Sequence, residues 1–165
     1  MRLSTPATGL AMHIRLLLVL LLALLTAGCF RDPVAADIEA FERYGASAIR
    51  DTVSKDIEQR LLQARTPHEQ VAILDEWIAM MEKNTAAVGS YRAKTPEFGR
   101  ILQGIHGALQ TAVEGGKEMR GAMLSRNRMQ MSDAAIKLTR GNSELVEHMN
   151  TLRRLAAERG YELKE

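Results

Sequence analysis

The chain is patterned in threes and fours. From Ile38, apolar or small residues recur as Phe41, Gly45, Ile49, Val53, Ile57, Leu61 and Ala64, with acids and bases between them. Such steps put residues on one face of an α-helix, whose period is 3.6. A second run goes Val71, Leu74, Ile78, Met81, Thr85, Val88, with Trp77 beside it. A third goes Phe98, Leu102, Ile105, Leu109, Ala112, Gly116, Met119, Met123. No β-branched run alternates with period two, and no Asn-Gly hairpin signal occurs. The pattern predicts an all-α antiparallel up-down helical bundle of about four long helices.

Caps place the boundaries. Asp32-Pro33 opens the first helix, because Asp is a good N-cap and proline suits the first helical position. Thr66-Pro67-His68-Glu69 reads as a capping box that ends one helix and opens the next. Thr95-Pro96 repeats the device. The last boundary has two readings. Continuing the third seam past Met123 lands on Arg126, Gln130 and Asp133, all polar, while a new seam runs Met131, Ala135, Leu138, Asn142, Leu145, Met149, Leu152, Ala156. That slip favours a turn near Ser125-Arg126-Asn127-Arg128. Otherwise the helix continues and turns at Gly141-Asn142-Ser143. The first version gives helices near 33–65, 67–93, 96–124 and 128–159, with Gly160 closing the last. Gly104, Ala108, Thr111 and Gly115 form a small-residue stripe, which predicts close helix approach ahead of a ligand crevice. Gly115-Gly116 is the natural place for a kink.

Upstream the pattern changes. Leu16 to Leu25 is an unbroken apolar run preceded by Arg15 and followed by Thr26, Ala27, Gly28 and the only cysteine, Cys29. A cationic start, an apolar middle and small residues describe a secretory signal. The run is too short to span a bilayer, which takes about 20 apolar residues. Met12-His13-Ile14-Arg15 is a complete cationic start by itself, so either Met1 or Met12 serves as the first residue. Leu25-Thr26-Ala27-Gly28-Cys29 resembles the lipobox of bacterial lipoproteins, with Thr26 where leucine is commoner. The resemblance covers roughly the first 30 residues. It implies a signal peptide over residues 1–28, a diacylglyceryl group on Cys29, cleavage before it and acylation of the new amino group. Two or more acyl chains anchor stably where one is marginal. Phe30 follows the cysteine, where enterobacterial members kept at the inner membrane carry aspartate. An outer-membrane anchor with the body facing the periplasm is the resulting expectation, and the inner membrane is the alternative.

Without residues 1–28 a single 137-residue domain remains, long enough for a real core. The chain has 22 Lys+Arg against 20 Asp+Glu. Arg2 and Arg15 leave with the signal, so the body is balanced and carries no nucleic-acid footprint. With Cys29 lipidated, disulfides and thiolate chemistry are excluded. His106, His148 and Glu144 are the nearest approach to a metal set, but no Glu-x-x-His occurs and no cofactor is expected. Met119, Met123, Met129 and Met131 cluster near the proposed turn, where methionine serves as core filler or adaptable surface before it serves copper. No nucleophilic triad or phosphate loop can be argued, so an enzyme is not expected. Residues 120–140 carry Arg120, Arg126, Arg128, Lys137 and Arg140 against Asp133 alone. The leading expectation is a protein-interaction module, whether adaptor, assembly factor or immunity-type inhibitor. Its bundle end, with Arg65, Arg126, Arg128, Met123 and Met129, meets an unknown envelope protein, and acylated Cys29 meets the lipid bilayer. The alternative is a periplasmic bundle holding a small ligand or metal between its helices.

Overall fold

Five helices make up the computed structural model, which describes residues 32–44 and 55–163. They are α1 (Pro33–Tyr44), α2 (Lys55–Gln63), α3 (Pro67–Ser90), α4 (Pro96–Leu124) and α5 (Arg128–Glu158). Thr26, Ala27, Gly28, Cys29 and the middle of the expected first helix, residues 45–54, lie outside the described residues. The chain divides after Asp32, and all five helices belong to the unit from Pro33 onward. Among the described residues no helix is long and apolar enough to cross a membrane.

The fold is an all-α bundle organised on α4. Helices α5, α3 and α1 each pack against α4, and α5 does so along the greatest length. The core follows the three-four seams: Ile38 and Phe41 from α1, Met81 and Val88 from α3, Phe98, Leu102, Ile105, Leu109 and Ala112 from α4. The seam of α5 buries Leu145, Leu152 and Ala156 as expected but departs from the sequence reading in its first half. Ala134 and Gly141 are buried, while Ala135 and Asn142 are exposed. Small side chains carry little hydrophobic signal, so the phase of that helix is set by close approach to its neighbour.

That approach is measurable. A Cβ added to Gly141 would sit 2.7 Å from the Ala112 amide nitrogen and 3.1 Å from the Ala108 carbonyl oxygen. One added to Gly115 would sit 2.9 Å from the Leu138 nitrogen. Backbone meets backbone here, which only glycine permits. Gly104 receives the His148 ring and Gly116 the Trp77 ring in the same manner. The stripe is therefore a helix–helix contact, and α4 runs through Gly115-Gly116 unbroken.

Three of the connections show how local chemistry sets the ends. Thr66 accepts from the Glu69 amide, and the Glu69 carboxylate accepts from the Thr66 amide, completing the capping box of α3. Thr95 does not cap α4 with its own side chain. Its hydroxyl instead donates to Asp37 Oδ2 at 2.7 Å. The buried Asp37 carboxylate also accepts the amides of Lys94 and Thr95 at 2.9 and 2.7 Å. Asp37 of α1 thus fixes the two residues that lead into α4, and a carboxylate suits the positive end of a helix. Tyr91 is extended and donates its hydroxyl to the Asp37 carbonyl, so α3 stops at Ser90 and not near residue 93. Phe41, Tyr91 and Phe98 meet edge to face around this junction.

The turn from α4 to α5 is Ser125-Arg126-Asn127, and α5 continues helical through Gly141-Asn142-Ser143. Arg126 has φ +53°. Its amide bonds the Met123 carbonyl and that of Asn127 bonds the Ala122 carbonyl, the Schellman arrangement that usually takes glycine. Asn127 then accepts from the Gln130 amide and caps α5. The same arrangement closes α5, with Gly160 at φ +66°.

Candidate functional site: a basic, apolar tip

The helix pairings place the sequence-derived residues. Asp75 pairs with Arg120, Glu82 with Lys117 at 2.7 Å, and Gly89 lies under the His106 ring. Helix α3 therefore runs antiparallel to α4, and its start lies beside the end of α4. Arg65, before Pro67, and Arg126 and Arg128, after Leu124, share one end of the bundle. The Asp37 junction, with α1, is at the other end.

The charge of this end differs from the count over residues 120–140. Arg120 is paired with Asp75. Lys137 lies between Glu118 at 2.7 Å and Glu114 at 3.0 Å, and hydrogen bonds to these carboxylates hold it above the ordinary lysine range. Arg140 pairs with Glu144 at 2.8 Å. Three of the five cations are thus answered by acids outside the counted window, and the expected broad basic patch shrinks to Arg126 and Arg128. Both are exposed and neither has an ion pair among the described residues, nor does the guanidinium of Arg65.

Apolar exposure concentrates at the same end. Leu62 is 80% exposed, Met129 73% and Leu124 60%. Met123 is half-buried beneath them in the last turn of α4. Leu62 and Leu124 were not candidates from sequence. Leu124 is simply the residue after the last seam position, and Leu62 follows the seam residue Leu61. A second apolar residue beside a seam, in the last turn of a helix, is the signal that finds both. The tip thus joins unpaired guanidinium groups to exposed hydrocarbon, a composition suited to binding a protein surface.

The helix interior offers less to a ligand. Among the described residues no three His, Cys, Asp or Glu side chains cluster as a metal site. His106 and His148 lie over Gly89 and Gly104, filling space that a side chain would otherwise take. A surface depression of 320 Å³ lies between the start of α4 and the end of α5, where Arg100 and Arg154 are balanced by Glu97 and Glu158. The buried Asn84 Nδ2 has no hydrogen-bond partner, and Asn84 is buried on α3 along with Met81 and Val88. No protein-family model, curated protein or solved structure matches the chain.

Proposed function

We propose that the chain is a bacterial lipoprotein held in the outer membrane by acylated Cys29. Its helical body acts on the periplasmic face as an interaction module, an adaptor, assembly factor or immunity-type inhibitor. The tip bearing Arg65, Arg126, Arg128, Leu62 and Leu124 is the surface that meets an acidic, partly apolar patch of another envelope protein. The observation carrying this reading is the coincidence of unpaired arginines and exposed large apolar residues at one end. That end is opposite α1, and only residues 30–32 separate α1 from Cys29.

Two measurements test the two halves of the proposal. Cys29→Ser should abolish labelling by radioactive palmitate and move the chain out of the membrane fraction. Retained label would refute the anchor. Arg65→Glu with Arg126→Glu should lose salt-sensitive crosslinks to envelope proteins, since exposed charges are screened beyond about 8 Å at physiological ionic strength. Unchanged crosslinking at equal helicity would remove the tip from consideration.

A further inference from the structure

The outward side of α5 carries a second seam. Met129, Ser132, Ile136, Thr139, Ser143, Val146 and Asn150 follow in alternating steps of three and four, and all are exposed. They lie opposite the buried face of Ala134, Gly141, Leu145 and Leu152. Arg128, Asp133, Lys137, Arg140, Glu144 and Glu147 are interspersed along this stretch, and none falls on the line. Ile136 and Val146 are 66% and 59% exposed. A solvated face has no need to exclude charge over about 33 Å of helix, at 1.5 Å per residue. Alternating three-four spacing is the repeat of a two-helix coil, and here it carries apolar Met129, Ile136 and Val146 among the uncharged polar residues Ser132, Thr139, Ser143 and Asn150. Met129, Ile136, Ser143 and Asn150 hold one of its core positions, and Ser132, Thr139 and Val146 the other.

We propose that two copies of the chain pair along this seam, with the α5 helices parallel. A two-fold axis along the helices sets each seam residue against its own counterpart. Ile136 then meets Ile136, Val146 meets Val146 and Met129 meets Met129. β-Branched Ile136 and polar Asn150 occupy the core position at which such residues favour two strands and fix the register. The flanking charges agree with this arrangement. Arg128 comes opposite Asp133 of the second copy, twice by symmetry, and neither has an ion pair within one chain among the described residues. Arg140 and Glu147 face Ala135 and Asn142 of the second copy, so no like charges oppose each other there. An antiparallel copy does worse. In the register joining Ile136 to Val146, Arg140 faces Arg140 and Asp133 faces Glu147. Parallel pairing also puts both α1 helices at one end, as two lipids in one bilayer require; this point and the gain from concentration at a membrane rest on the lipoprotein reading.

Two strips of this length bury roughly 700 Å², short of the 1,200 Å² typical of stable complexes. Pairing is therefore weak in dilute solution and strengthened where a membrane concentrates both copies. Arg128 and Met129 belong to both surfaces, but Arg65, Arg126, Leu62 and Leu124 stay off the seam, so variants at these four test the tip apart from the pair.

The test is disulfide trapping of the full chain in bacterial membranes under a mild oxidant. Single cysteines replace Ser132, Val146 or, off the seam, exposed Lys83, with the parent chain as the blank for Cys29. Matched core positions bring Cα atoms within the 4.4–6.8 Å that a disulfide needs. Ser132→Cys and Val146→Cys should each give several-fold more covalent dimer than Lys83→Cys. Adding Ile136→Glu should return both to the Lys83→Cys level while circular dichroism stays unchanged. Equal yields at all three sites, or seam yields that survive Ile136→Glu, would overturn the pairing. Dimer formed only when Ser132→Cys and Asn150→Cys chains are mixed would overturn the parallel arrangement. Seam crosslinks in chains recovered outside the membrane fraction would support the pair and refute the lipid anchor.

Discussion

Two helices are fastened to α4 by opposite means. Helix α5 is joined chiefly by shape: Gly115 and Gly141 let main chains touch, and the ion pairs of Lys137 with Glu114 and Glu118 lie at the outer edge of the contact. Helix α1, besides burying Ile38 and Phe41, is joined by polar chemistry: Asp37 holds Lys94 and Thr95 at the entry to α4, Tyr91 donates to the Asp37 carbonyl, and Tyr161 donates to the buried Glu42. The first joint is extended and tolerates no added atom. The second is compact and depends on a few donors finding one carboxylate. The lesson is that the two joints fail differently, and that a sequence reveals them unequally.

The shape joint gives the largest expected effect. Gly141→Leu forces α5 off α4 or distorts both, since the added Cβ alone meets backbone. Overpacking of this kind costs typically 1–3 kcal/mol and occasionally more, and the backbone contact puts this case at about 3 kcal/mol. Chemical denaturation would measure it, and a loss under 1 kcal/mol would mean that the helices separate freely. Asp37→Ala should cost about 2 kcal/mol, the range of hydrogen bonds to a charged acceptor. Its signature is local: amide exchange should quicken at Lys94 and Thr95 and not at Gly115 or Gly141. Uniform acceleration would show that the two joints are not separate.

Smaller effects refine the contrast. Thr66→Ala removes a cap made within one turn, and a thermal melt should show a loss of about 1 kcal/mol. The last effect is alkaline. The hydrogen bond to Glu42, then burial, push the Tyr161 hydroxyl up to about 12. The unfolded chain ionises near 10, so it binds fewer protons than the folded one between those values. The stabilisation is complete below pH 10 and is lost as pH rises toward 12. Tyr161→Phe should flatten that decline in stability between pH 10 and 12. An unchanged slope would assign it elsewhere, including to Tyr91, whose hydroxyl is also raised by burial and by nearby Asp37.

The same contrast explains what could be read from the sequence. The all-α bundle, the capping box at Thr66 and the seams of α3 and α4 depend on residues within a turn or two of each other. The stripe of Gly104, Ala108 and Gly115 also announced close packing. On α5 the seam was one residue off only at Ala135 and Asn142, because Ala134 and Gly141 contribute no hydrophobic signal beside them, while Leu145, Leu152 and Ala156 are buried as read. The Asp37–Thr95 contact joins residues 58 positions apart and leaves no local trace. Thr95-Pro96 resembles Thr66-Pro67 in sequence, yet its threonine serves a different carboxylate. The site suffered from the same blindness to distance. Counting charge within residues 120–140 overlooked Asp75, Glu114, Glu118 and Glu144, which neutralise three of its cations.

Arg126 holds the left-handed backbone position at the end of α4. A side chain there carries a penalty of roughly 1–2 kcal/mol that glycine escapes. Arg126→Gly should therefore leave the fold as stable or more so, while stripping the tip of a cation. The turn forgoes stability that one substitution would supply. A variant that melts higher but no longer captures partners would show that the arginine is kept for what it touches outside the chain. A variant that melts lower would assign Arg126 to the turn itself.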